Sequence, residues 1–313
     1  MDLKTILLII ICSLVVLLIL LWLILGLYIY NVVMVCKKSN TIEDINENSH
    51  WYPFKEELIK RRSVYDEYEN TATKHTIINK RGLKLTSYLV KQDQSEIPTL
   101  VIFAHGYRSA RNMDALYADN WMLKKGYDTL LIDQEGTGES EGKRMGFGIY
   151  DSENLDEWIK YVNELYGSKV NIILCGVSMG ANTVLLESDK ELENVKCIIA
   201  DCGYTSAYDE YLYLLSNNKL FMCLIRIFLK MFWKRDIKTS SIDALKKAKY
   251  PVLFIHGSLD RFVPTKFTYQ NNEACRSEKD ILIVNGALHA ESGLVDPESY
   301  NLKIEEFLKN YGK

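Results

Sequence analysis

Hydropathy divides the chain into three stretches. Residues 6–30, ILLIIICSLVVLLILLWLILGLYIY, hold no charge, and residues 31–35 prolong the run almost unbroken to Lys37 and Lys38. As a helix those 25 residues would reach roughly 38 Å, more than the ~30 Å of a bilayer's hydrocarbon core, so the segment is long enough to span with some tilt. Residues 39–69 are polar, charged and aromatic, and read as a linker leading into a helix that packs on the domain or on a membrane surface. No chemistry is assigned to them. From residue 76 onward, short apolar runs alternate with amphipathic ones.

Residues 76–78 and 83–90 flank Asn79-Lys80-Arg81-Gly82 and predict a hairpin. Residues 99–104, TLVIFA, form a continuous apolar run suited to a strand buried on both faces. Further strands are predicted over 129–133, from 171 into Gly176, and over 195–201, 252–257 and 281–284. Helices are predicted over 113–125, 151–165, after Ser178, and over 300–310. Such alternation calls for an α/β fold with a mostly parallel sheet and helices on both faces. Chemistry should then collect at the C-terminal ends of the strands.

One strand-to-helix junction has the spacing of a nucleophile. In NIILCGVSMGANT the sequence Gly176-Val177-Ser178-Met179-Gly180 is a G-x-S-x-G pattern, in which a tight turn flanked by small residues lifts a serine hydroxyl into a cleft. An ordinary strand-to-helix turn would match as well, so the remaining parts must be found elsewhere. Asp260, in HGSLDRFVP, follows the strand over 252–257, and His289, in NGALHA, follows the last strand. The order Ser178, Asp260, His289 is Ser…Asp…His. Of the five histidines, only His289 is placed as the base. The backbone N–H groups of Tyr107, after the buried strand 99–104, and of Met179 are the candidate oxyanion donors. His105 is read as a structural hydrogen bonder at a strand end, and Asp201 as an anchor for the loop that follows it.

Composition changes this picture little. The chain has 313 residues, 48% hydrophobic and 25% charged, with a formal net charge of -3. That is enough for one large domain plus an appendage, and it offers no basic field for nucleic acid. Seven cysteines, an odd number without small-domain spacing, argue against a disulfide framework. With no C-x-x-C pair and no clustered His/Cys set, neither a metal site nor a cofactor is expected.

The stretches AHGYRSARN, LIDQEGTGESEG, GVSMGA, PVLFIHGSLDRFVP and NGALHA resemble an α/β-hydrolase of the serine-aminopeptidase and monoglyceride-lipase-like branch. The resemblance covers the chain from about residue 76 to its end. Glu135 departs from it, standing where arginine or another residue is common. The resemblance implies an α/β-hydrolase fold with a helical lid over 203–248, and the middle of that insertion, residues 220–233, is notably apolar. Arg226, Lys230, Lys234 and Arg235 would sit at an interface. The implied function is a membrane-anchored serine hydrolase acting on a hydrophobic acyl ester. Its alternatives are a serine peptidase or thioesterase on the same triad, or a non-enzymatic membrane binding protein.

The expected organisation is therefore a transmembrane anchor over 1–38, a linker and packing helix over 39–75, and the hydrolase domain over 76–313. The apolar run is too long for a signal peptide, and no small-x-small cleavage site follows it. Asp2 and Lys4 precede the span, whereas Lys37, Lys38, Lys55, Lys60, Arg61 and Arg62 follow it. That bias favours a cytoplasmic domain.

Overall fold

The computed structural model describes residues 2–36, 39–118 and 121–313. It begins with α1 (Leu3–Ile29), continued by a π-helical turn over Tyr30–Met34, and then α2 (Lys55–Glu69). The sheet enters with β1 (Thr73–Ile78), β2 (Lys84–Val90) and β3 (Thr99–Ala104), followed by α3 (Arg111–Ala118) and β4 (Asp128–Ile132). Next come α4 (Ile149–Leu165), β5 (Asn171–Val177), α5 (Met179–Leu185) and β6 (Val195–Asp201). An insertion carries α6 (Ala207–Leu214), α7 (Lys219–Phe232) and α8 (Ser241–Leu245). The chain closes with β7 (Val252–Gly257), α9 (Lys266–Ala274), β8 (Lys279–Val284), α10 (Ser292–Val295) and α11 (Pro297–Tyr311).

These strands form one eight-stranded sheet in the order β1-β2-β4-β3-β5-β6-β7-β8. β1 and β2 are antiparallel, and β2 joins β4 antiparallel, while every pairing from β4 to β8 is parallel. Residues of β3, β4 and β7 are buried at every position, the consequence of helices covering both faces. Two apolar layers result. One packs Phe103, Ile173, Ile199 and Leu253 against α11 residues such as Ile304 and Phe307. The other packs Ile102, Leu174 and Phe254 against Trp158 of α4 and Val184 of α5.

Two elements differ from the sequence reading. The helix expected over 113–125 runs instead from Arg111 to Ala118, and residues 121–126 are turns; Asp119 and Asn120 lie outside the described residues. Trp121, Met122 and Leu123 are all buried. Three successive buried positions cannot lie on the single inward stripe of a surface helix. The segment 39–69 contains the packing helix expected of it, and the difference lies only in the stretch ahead of that helix, to which no chemistry was assigned. Its helix α2 buries Leu58 and Tyr65 in the core of the domain, and a stretch ahead of it reaches the site described below.

The long apolar helix is also divided. Residues 3–21 are all exposed, a length of roughly 28 Å at 1.5 Å per residue. Beyond them Trp22, Leu23, Gly26, Ile29, Tyr30, Val33 and Met34 turn toward the domain at three- and four-residue intervals. Trp22 packs edge-on against Phe228 with ring centroids 5.9 Å apart, and its indole N–H donates to the Leu224 carbonyl at 3.2 Å. Lys37 and Lys38, on which the charge bias partly rests, lie outside the described residues.

Candidate active site

Ser178 sits between β5 and α5 at φ 55° and ψ −113°. For a residue with a Cβ this region costs on the order of 1–3 kcal/mol and persists only where its surroundings hold it. They do so here by close approach. A Cβ on Gly176 would run into the Gly180 carbonyl, and one on Gly180 into the Ala104 carbonyl of β3. The Ser178 amide is fixed by donating to the Asp201 carbonyl at 2.8 Å.

The structure brings the three side chains named from the sequence together. Ser178 Oγ lies 2.9 Å from His289 Nε2, and His289 Nδ1 lies 2.6 Å from Asp260 Oδ2. A carboxylate oxygen can only accept, so Nδ1 bears the proton and Nε2 presents a lone pair to the serine hydroxyl. Asp260 Oδ1 also accepts the amides of Phe262 at 2.9 Å and Val263 at 2.8 Å. The buried His256 stands 3.1 Å away through Nε2. Burial by itself would raise the Asp260 pKa, but hydrogen bonds from His256 and His289 outweigh it and hold the carboxyl well below the ordinary carboxylate range. The group facing His289 is therefore an anion at neutral pH.

Tyr107 and Met179 line the same cavity as Ser178. Met179 opens α5, where an amide has no intrahelical carbonyl to bond. Tyr107 follows Gly106, whose amide donates to Asp114 Oδ2 at 2.5 Å, while Ser109 Oγ donates to Asp114 Oδ1 at 2.5 Å. Asp114 thus pins the loop that carries the Tyr107 amide. His105 is buried and ties the end of β3 to the next loop: its Nδ1 donates to the Gly106 carbonyl at 2.8 Å, and its Nε2 accepts the Gln134 amide at 3.2 Å. Asp201, by contrast, binds the C-terminal helix and not the loop after it. Its Oδ2 accepts from Tyr300 at 3.1 Å, and burial pushes its pKa up to about 6.

Two cavities meet at Ser178. The first, about 190 Å³, is lined mostly by apolar groups including Phe147, Tyr211, Leu214 and Val263. Glu210 is its carboxyl, buried with neither side-chain oxygen hydrogen-bonded among the described residues, and burial pushes its pKa up to about 8. The second, about 300 Å³, has a polar wall of Asn40, Ser49, His50, Ser109 and Asp114. Its outer side comes from the segment ahead of α2. Trp51 Nε1 donates to the His289 carbonyl at 3.3 Å, and His50 Nδ1 lies 2.7 Å from Glu291, whose other oxygen accepts the Leu288 amide at 2.9 Å. That segment therefore braces the loop carrying His289.

Other charges serve the frame. Glu135 is buried against Arg81, which also reaches Glu153 at 3.1 Å, so the departure noted in that motif fastens the 133–140 turn to the β1–β2 connection. Of the cations expected at an interface, Arg226 pairs with Asp236 at 2.5 Å and Arg235 with Glu153 at 2.7 Å. Asp114, Glu210, His50 and Trp51 were not found from the sequence. The one signal was the aromatic and polar cluster Ser49-His50-Trp51-Tyr52, which has no motif to mark it.

The family model described as serine aminopeptidase, S33, matches residues 95–241. An uncharacterized protein of Bacillus subtilis, YqkD, is 27% identical over 272 residues, spanning 82% of this chain and 87% of that protein. Among solved structures, the Pyrococcus furiosus esterase Pf2001 superposes with a TM-score of 0.65 at 20% identity, over 88% of this chain and 100% of the other. The α/β-hydrolase GrgF from a Penicillium species superposes with a TM-score of 0.62 at 17% identity, over 77% and 99%.

Proposed function

We propose that this chain, which has the α/β-hydrolase fold, is a membrane-anchored serine hydrolase that cleaves acyl esters through an acyl-serine intermediate. The observation that carries the reading is the hydrogen-bonded line Ser178–His289–Asp260 at a positive-φ serine. His289 Nε2 takes the hydroxyl proton as Ser178 Oγ bonds to the acyl carbon. The negative charge formed on the carbonyl oxygen falls to the amides of Tyr107 and Met179. Collapse of that intermediate expels the alcohol, which leaves with the proton held by His289. Water then attacks the acyl-serine with His289 as base again, releasing the acid and free Ser178. Asp260 stabilises the imidazolium in both halves.

In this reading α1 is the anchor. Its exposed length of roughly 28 Å is close to a bilayer's ~30 Å hydrocarbon core. The free thiols of Cys12, Cys175, Cys197, Cys202, Cys223 and Cys275 agree with a cytoplasmic domain. The insertion over 203–248 serves as a lid, since α6 supplies Tyr211 and Leu214 to the cavity beside Ser178.

The family-model description raises an aminopeptidase as the second reading. A substrate's free ammonium needs an anionic partner near the nucleophile. The carboxyl that lines the apolar cavity, Glu210, stays protonated to about pH 8, which favours the ester. A series of p-nitrophenyl esters from butyrate to palmitate tests this with the full-length protein. Hydrolysis is expected, with kcat/KM changing with acyl length. A flat profile would contradict an apolar acyl site, and turnover of aminoacyl anilides alone would favour the peptidase.

A further inference from the structure

A third cavity, about 450 Å³, lies in the seam between the end of α1 and the insertion. Leu25, Ile29 and Val33 wall it on one side, and Leu215, Ile225 and Leu229 on the other. It shares Val33, Phe147, Tyr211 and Leu214 with the cavity containing Ser178, so the two cavities adjoin across those four side chains. The seam's outer end is beside Leu25 and Tyr28, both exposed, one turn beyond the nineteen exposed residues that open α1. On α7, Leu220, Leu224, Ile227 and Met231 continue the exposed apolar surface at intervals of four, three and four residues. The two helices close on each other at Gly26, where a Cβ would run into the Phe228 ring.

We propose that this seam is a lateral entrance through which the acyl tail of a bilayer-resident ester reaches Ser178, the tail lying between α1 and α7. The proposal rests on the serine-hydrolase reading above. The occupant is fixed by the two ends of the route. The inner end stops at a serine hydroxyl, which suits a chain ending in a carbonyl, and the outer end opens beside the helix that would be immersed in hydrocarbon. A tail that follows apolar walls from one end to the other exposes no methylenes to water on the way. On this account the helix is both anchor and half of the substrate site.

A hexadecyl fluorophosphonate carrying a diazirine at the far end of its alkyl chain tests the route with the full-length protein in phosphatidylcholine vesicles. Ser178 Oγ displaces fluoride at phosphorus, His289 taking the proton, which ties the tail to the nucleophile. Photolysis followed by peptide mass spectrometry then reads where the tail lies. Crosslinks within residues 25–34 and 221–229 are expected. In Ile225→Trp, the ratio of kcat/KM for palmitate over butyrate p-nitrophenyl esters is expected to fall at least tenfold. Labelling of Ser178 with crosslinks only in residues 40–51, or only to lipid, would overturn the entrance. No labelling of Ser178 at all would overturn the hydrolase reading beneath it. A thermal melt of Ile225→Trp matching the unaltered protein shows that a lost ratio is not lost folding, and an unchanged ratio counts against the route.

Discussion

The two sides of Ser178 are built by different means. On one side the wall is apolar and comes from the insertion helices and the last turns of α1, with Glu210 as a buried carboxyl in it. On the other it is polar and comes from residues 40–51, which also brace the His289 loop through Trp51, His50 and Glu291. Ser178, Asp260 and His289 hang from strand ends between these walls. On the proposed reading the contrast separates two jobs. The sheet would hold the reacting groups, and the flanking segments, one wall apolar and one polar, would select what is presented to them. An ester with a greasy acid and a polar alcohol would match both sides at once.

Changes at the shared boundary should act on every substrate alike, whereas changes in one wall should not. The largest effect is expected for Asp260→Asn, which keeps the shape but leaves His289 without its anionic partner. A drop in kcat of about 10⁴-fold should appear for short and long esters equally. Asp114→Asn loosens the loop that carries the Tyr107 amide. It is expected to lower kcat by about 10²-fold, again without preference for acyl length, because the loss is in oxyanion binding.

Smaller effects sharpen the division. Asn40→Ala on the polar side should raise KM about fivefold for esters of a polyol alcohol, the scale of one hydrogen bond near 1 kcal/mol, while p-nitrophenyl esters change less. Equal changes for both would mean that the polar wall does not meet the alcohol. On the apolar side, burial raises the Glu210 pKa from 4.5 to about 8, so the folded chain holds this proton more tightly than the unfolded one. Its contribution to stability is complete below about pH 4.5 and is lost as pH rises toward 8. Glu210→Gln should therefore show a shallower fall of Tm between pH 5 and 8, by on the order of a few °C, in calorimetric melts. Asp201, raised to about 6, gives the same sign in both proteins and cancels from the difference.

How much of this could be read from the residues follows the same line. Strands buried on both faces leave unbroken apolar runs, so β3, β5, β6 and β7 were legible. The turns after β5 and β7, with the turn after the last strand β8, place Ser178, Asp260 and His289 at one edge of the sheet before any contact is known. The walls were not legible. Trp51 meets His289 across 238 positions of chain, and Trp22 meets Leu224 across 202. Neither periodicity nor a local motif records such pairings, which arise only once the sheet has fixed where the ends of the chain can pack. The helical expectation over 113–125 erred for a related reason: Trp121, Met122 and Leu123 look like part of an amphipathic stripe, but tertiary burial takes all three.

The account's central claim is that Ser178 is a nucleophile activated by His289. The most direct measurement is the intact mass of the full-length protein, and of Ser178→Ala and His289→Ala, after exposure to a fluorophosphonate, with the modified peptide sequenced. One adduct on Ser178 is expected, absent in Ser178→Ala and slowed by orders of magnitude in His289→Ala. An unmodified protein, or equal labelling of Ser178→Ala, would contradict it.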